Sequence, residues 1–120
     1  MQNRRPQLNS ESTNVLFVCS MNQWRSPTAE KLYSKEPFIN VRSAGTSSKA
    51  RRHISLKDLK WADTVIVMEL KHKQRLAAEY RQALRGCDIH VLEIEDRYKF
   101  MDPVLIEELK YAIDPILGLE

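Results

Sequence analysis

The chain reads as an α/β protein, a four-stranded parallel sheet with helices on both faces. Three observations predict it. Strand-like apolar runs alternate with helix-like segments along the chain. Two of the runs, Val15-Leu16-Phe17-Val18 and Thr64-Val65-Ile66-Val67-Met68, are apolar almost throughout, as strands covered on both faces are. And 120 residues make one compact domain, not comfortably two.

Taken in order, Met1 to Thr13 is a polar stretch without the apolar centre of a signal peptide. It is expected to be a flexible tail, with residues 14–120 forming the single domain. Val15–Val18 is the first strand. Ser26-Pro27 is a helix-start signal, hydroxyl at the N-cap and proline at N1, opening a helix to about Ser34 with Ala29, Leu32 and Tyr33 on one face. Phe38–Val41 is a short strand, ended by Ser43-Ala44-Gly45-Thr46. Ser55 and Asp58 form a capping box for a helix to Trp61. Thr64–Met68 is a buried strand. Lys71–Leu84 is a helix stopped by Gly86. Ile89–Ile94 alternates as an edge strand does. Asp102-Pro103 opens the last helix, through Ile113. In such a sheet the site lies at the carboxyl ends of the strands, where Cys19, Gly45, Glu69 and Asp96 fall.

The charge balance is mild, +3, which favours anionic ligands in general and does not argue for nucleic acid. No stretch approaches the ~18 apolar residues of a membrane span. Two cysteines far apart in sequence are no disulfide framework, so a reduced, cytoplasmic setting is expected.

The informative segment is Cys19-Ser20-Met21-Asn22-Gln23-Trp24-Arg25-Ser26. Strand, tight loop and helix start point backbone N–H groups and a helix N-terminus at one small anion. The same donors stabilise a thiolate at the mouth of the loop. Arg25 can fork onto two phosphate oxygens. A buried cysteine ending a strand is more often a small hydrophobe. The apolar strand before Cys19 and the helix start after Arg25 favour a phosphate-binding loop, Ser20 to Trp24, with a nucleophile at its base.

Val15-Leu16-Phe17-Val18-Cys19, Asn22, Arg25-Ser26-Pro27 and Ala29-Glu30 resemble the signature of the low-molecular-weight protein tyrosine phosphatases. Ser43-Ala44-Gly45-Thr46 and Val65-Ile66-Val67-Met68-Glu69 resemble two further segments of that family, the last with glutamate where aspartate is usual. The resemblance runs from Asn14 to the last helix and suggests a shortened member with a flavodoxin-like sheet. It implies that Cys19 takes the phosphoryl group, Arg25 grips it, and Ser26 hydrogen-bonds the Cys19 sulfur. It further implies that Asn22 holds the loop turn, which suits a residue tolerant of positive φ, and that Ser43 supports Asn22. The substrate would be a phosphorylated protein or small aryl phosphate, phosphate would inhibit, and neither cofactor nor metal would be needed.

Two aspartates compete for the general acid. Asp102 precedes a proline, as the family's acid does, but reads as a helix N-cap. Asp96-Arg97-Tyr98 resembles the family's Asp-Pro-Tyr with arginine for proline, and Asp96 is the favoured acid. The family's long segment after Thr46 is absent, which leaves substrate choice open. Trp24 could stack on an aromatic leaving group or pack on the core. Lys49, Arg51, Arg52 and His53 form a basic patch, either a solvated face or an attractor of anionic substrates. The rivals are an arsenate reductase on the same fold, with Cys87 its one candidate relay thiol, a non-catalytic phosphate- or phosphoprotein-binding module, and a phosphocysteine carrier, which generally lacks the arginine.

Overall fold

The computed structural model describes residues 12–119. Residues 1–11 of the expected tail lie outside the described residues, and Thr13, assigned to that tail, already pairs with Ile39 in the sheet. The elements are β1 (Thr13–Cys19), α1 (Arg25–Tyr33), β2 (Ile39–Gly45), α2 (Leu56–Trp61), β3 (Thr64–Val67), α3 (Leu70–Glu79), α4 (Arg81–Arg85), β4 (Asp88–Val91) and α5 (Pro103–Ile116). All pairings are parallel and the strand order is β2-β1-β3-β4. This is the flavodoxin-like arrangement expected, with β1 and β3 central and β4 at an edge.

The alternation of β1 divides the core. Val15, Phe17 and Cys19 face one layer, with Ile66 and Met68 from the β3 segment, Ala29 and Tyr33 from α1, and Leu105, Leu109 and Ile113 from α5. Leu16 and Val18 face the other, with Val65 and Val67, Leu59 of α2, Leu76 of α3 and Leu84 of α4. Each of the valine, leucine, isoleucine, phenylalanine and methionine side chains among these contributes about 1.5–3 kcal/mol on full burial. Among the described residues, no helix is long and apolar enough to cross a membrane.

Several boundaries differ from expectation for physical reasons. β2 extends through Ser43, Ala44 and Gly45, which pair with Phe17, Val18 and Cys19 rather than ending the strand early. The helix expected over 71–84 is two, because Tyr80 leaves helical geometry at φ −132°, ψ 43°. β4 stops at Val91, although Leu92 and Ile94 still donate to Val67 and Met68 carbonyls. Glu93, at φ 63°, interrupts the ladder between them. Helix α1 begins at Arg25, with Trp24 as N-cap and no side-chain cap. Ser26 is therefore inside the helix, its hydroxyl drawn to Cys19 instead. Pro27 sits in the first turn, where no N–H is required. The Ser55/Asp58 capping box forms as expected, and Asp102 caps α5, accepting from the Val104 N–H at 2.8 Å.

Candidate active site

The loop between β1 and α1 is shaped by where its carbonyls go. Thr46 N–H donates to the Cys19 carbonyl at 2.9 Å, Ser47 N–H to Ser20 at 3.0 Å, and Arg51 N–H to Met21 at 2.9 Å. The Arg51 Nε donates to the Asn22 carbonyl at 2.9 Å. Four successive carbonyls thus face the segment after β2. In a trans peptide the next residue's N–H points the opposite way. The N–H groups of Ser20, Met21, Asn22 and Gln23 are therefore turned to the other side, as an anion cradle requires.

Two residue types permit this path. Asn22 takes φ 55°, a left-handed conformation asparagine tolerates. Gly45 lies under the loop. A Cβ there would meet the Ser20 carbonyl oxygen at 2.5 Å and Ala50 Cβ at 2.6 Å, so only glycine lets the loop cross.

Cys19 is buried, with Sγ 2.9 Å from Ser26 Oγ. The buried Asn22 amide reaches the same hydroxyl. Its Nδ2 donates to Ser26 Oγ at 2.9 Å and to Ser43 Oγ at 2.9 Å. The Ser26 hydroxyl has two acceptors in reach, the Cys19 sulfur at 2.9 Å and the Ala44 carbonyl at 3.5 Å, and the sulfur is the nearer. The Ser43 hydroxyl in turn donates a hydrogen bond to Glu30 Oε1. The sequence reading named Asn22, Ser26 and Ser43 but not Glu30.

Arg25 is buried at the far end of the loop. Its Nη1 is held by Glu69 and by the Ile94 carbonyl, the latter at 2.8 Å. Beside it the Glu69 carboxyl lies below its ordinary range, since burial opposes the shift but the Arg25 hydrogen bond and charge outweigh it. With Nη1 committed, the Nε–Nη2 edge remains for a ligand, and Nε lies 3.7 Å from Asp96 Oδ1. Cys19, Met21, Gln23, Trp24, Arg25 and Asp96 line one small recess. Asp102 is not among them, being taken up in its cap. Trp24 is half-buried at the recess, with Lys99 Nζ 5.8 Å above its ring.

His72 is the further residue at this site, and the sequence reading missed it. Its buried ring accepts from the Glu69 N–H at Nδ1, 3.0 Å, which fixes the tautomer. Nε2–H then donates to Ser20 Oγ at 2.8 Å. The Glu69-x-x-His72 spacing at a helix start was the available signal. The basic patch also proves divided. Arg51 and Arg52, both still exposed, hydrogen-bond back onto the chain, Arg51 onto the loop and Arg52 onto the Ser43 carbonyl at 2.8 Å and onto Asp58. They hold the segment that replaces the expected wall, and are not merely a solvated face.

Burial, and behind it the Arg25 charge, push His72 down to about 4 from an ordinary 6.5. The unfolded chain therefore takes this proton first as pH falls. The stability tied to neutral His72 is complete above about pH 6.5 and is lost toward pH 4. Denaturant titrations at pH 7 and pH 5 should differ by about 1–2 kcal/mol from this group. In His72→Gln that part of the slope should vanish; an unchanged slope would assign the pH dependence elsewhere.

No family model and no curated protein matches the chain. Solved structures do. The low molecular weight protein tyrosine phosphatase of T. tengcongensis is 26% identical, with 89% of this chain and 99% of that chain covered, at a TM-score of 0.72. The tyrosine phosphatase Wzb from Escherichia coli K30, in complex with phosphate, is 19% identical, covering 89% and 97%, at 0.74. The YwlE arginine phosphatase from Geobacillus stearothermophilus is 22% identical, covering 88% and 91%, at 0.68. A thioredoxin-dependent arsenate reductase of Corynebacterium glutamicum also shares the architecture. Over nearly its whole length the chain has the fold of the low molecular weight protein tyrosine phosphatases.

Proposed function

We propose that the chain is a cysteine-dependent phosphomonoesterase of reducing, cytoplasmic surroundings that hydrolyses phosphotyrosine on proteins through a phosphocysteine. The observation that carries the reading is the grouping of four parts around one recess. These are a buried thiol with a hydroxyl aimed at it, a loop with its N–H groups on the cradle side, a guanidinium held from behind, and a carboxyl across the opening.

Cys19 Sγ attacks phosphorus in line and the aryl oxygen departs. The loop N–H groups and the free edge of Arg25 hold the equatorial oxygens as charge spreads over them. Protonated Asp96 gives its proton to the leaving oxygen. As a carboxylate, Asp96 then takes a proton from the water that cleaves the phosphocysteine. Ser26 O–H stabilises the sulfur anion as it leaves. Trp24 and Met21 offer flat, apolar surface for an aryl group beside the thiol.

The arsenate reductase alternative needs a relay thiol near the nucleophile. Cys19 ends β1, whereas Cys87 precedes β4, at the opposite end of a parallel sheet. The Cys87 thiol donates to the Leu59 carbonyl at 3.4 Å, and burial raises its pKa, so it is a poor nucleophile there.

The test separates the two aspartates. Asp96→Asn should slow phenyl phosphate hydrolysis by about 10²–10⁴-fold and p-nitrophenyl phosphate far less, since only the poorer leaving group needs the proton. Asp102→Asn should leave both rates near normal, because asparagine caps equally well, while Asp102→Ala should cost about 0.5–2 kcal/mol of stability. Equal effects of Asp96→Asn on the two esters would remove Asp96 from the role of acid. Phosphotyrosine and phosphoarginine peptides, offered side by side, test the substrate class, and preference for the second would replace the proposed one.

A further inference from the structure

Ser20 is held by two clamps, and a second cavity lies between them. On one side the Ser47 N–H donates to its carbonyl at 3.0 Å. On the other His72 Nε2 meets its hydroxyl at 2.8 Å. The cavity, about 300 Å³, is lined by Ser20, Thr46, Ser47, Ser48, Lys71, His72 and Arg75. At ~30 Å³ per water it has room for a tetrahedral oxyanion and its hydration.

Its lining is chemically one-sided. It presents four hydroxyls, an ammonium and a guanidinium, and no carboxylate. Neutral His72 adds no charge, its Nε2 being spent on Ser20. Glu69, at the start of the same helix, is taken by Arg25. Glu79 meets Arg75 at Nε alone, 2.8 Å, which leaves the guanidinium Nη groups for a ligand. Both cations stand on α3, a turn apart on one face. Ser20, the loop residue after Cys19, lines this cavity, and Cys19 and Met21 on either side of it line the recess, so the two hollows are neighbours along one loop.

We infer that this cavity is a second oxyanion subsite, which takes a carboxylate or phosphate carried by the substrate beside the phosphoryl group being removed. The inference rests on the phosphatase reading and adds a preference for acidic or multiply phosphorylated partners. Lys71 and Arg75 act as specificity residues without touching the reacting atoms.

The test uses the full chain and the Lys71→Ala/Arg75→Ala double variant. Both side chains are exposed, and neither holds the loop. Two phosphotyrosine peptides serve as probes, identical except for glutamates or glutamines flanking the tyrosine, with p-nitrophenyl phosphate as the reference. Wild type should show a KM about 3–10-fold lower for the glutamate peptide, the effect of two exposed ion pairs. The difference should shrink with added salt. The double variant should treat the peptides alike while keeping its p-nitrophenyl phosphate kinetics.

A preference that survives in the double variant overturns the inference. Where wild type shows no preference, binding of inorganic phosphate to Cys19→Ser decides. A second equivalent bound there, and lost when Lys71→Ala/Arg75→Ala is added, identifies free phosphate as the occupant; no second equivalent overturns the subsite. This binding arm stands even if wild type hydrolyses neither peptide, a result that would refute the phosphatase reading alone.

Discussion

Replacing Cys19 with serine should abolish phosphomonoester hydrolysis while leaving phosphate or vanadate binding partly intact. The thiol sits at the floor of the loop with Ser26 Oγ 2.9 Å away, and the donors that hold phosphate belong to the backbone and Arg25. Serine keeps the shape and loses the more nucleophilic sulfur. Turnover of p-nitrophenyl phosphate should fall to background. Iodoacetate should label Cys19 in preference to Cys87, and phosphate should slow that labelling. Turnover at the wild-type rate in Cys19→Ser would end the assignment of the nucleophile.

The second large effect is expected at Arg25. Its guanidinium works on two sides at once. Nη1 is fixed by Glu69 and by the Ile94 carbonyl, and the opposite edge faces the recess beside Asp96. Lysine carries the same charge on one nitrogen and cannot serve both. Arg25→Lys should therefore lower kcat/KM by about 10²–10³-fold, in line with loss of one preorganised donor to a developing oxyanion. It also leaves the half-buried Glu69 with a weaker partner, so its carboxyl should rise back toward the ordinary range. A lysine variant with near-normal kcat/KM would show that the loop amides suffice.

Much of this was legible from local pattern. The apolar runs at Val15–Val18 and Thr64–Met68 could only be buried strands, and their alternation with helical segments prescribes a parallel sheet. Cys19 and Arg25 bracket their own loop, so their proximity needs no long-range information. Asp102-Pro103 declares a helix cap through chemistry confined to three residues. Even the left-handed turn at Asn22 is a matter of one residue type.

What chain order could not carry is contact between distant segments. Ser26 looks like an N-cap by itself; only the sulfur brought beside it by β1 and the amide of Asn22 turn its hydroxyl inward. Arg51 and Arg52 look like a solvated basic run. They bond back onto the chain because the outward-facing carbonyls of the loop and of Ser43 need donors, and Asp58 needs a counter-charge. His72 reads as one more polar residue of a surface helix until β3 carries that helix to Ser20. Asp96 and Asp102 are separable in sequence only by the cap, and in space by which of them reaches Arg25. The sequence by itself determined the fold class and placed Cys19 and Arg25 on one loop, because strand and helix patterns and loop neighbours are local to the chain. The tertiary structure decided the hydroxyl aimed at the thiol, the support behind the arginine and the neutral histidine. Buried polar groups must find partners, and those partners come from whichever strands and helices the fold has set alongside.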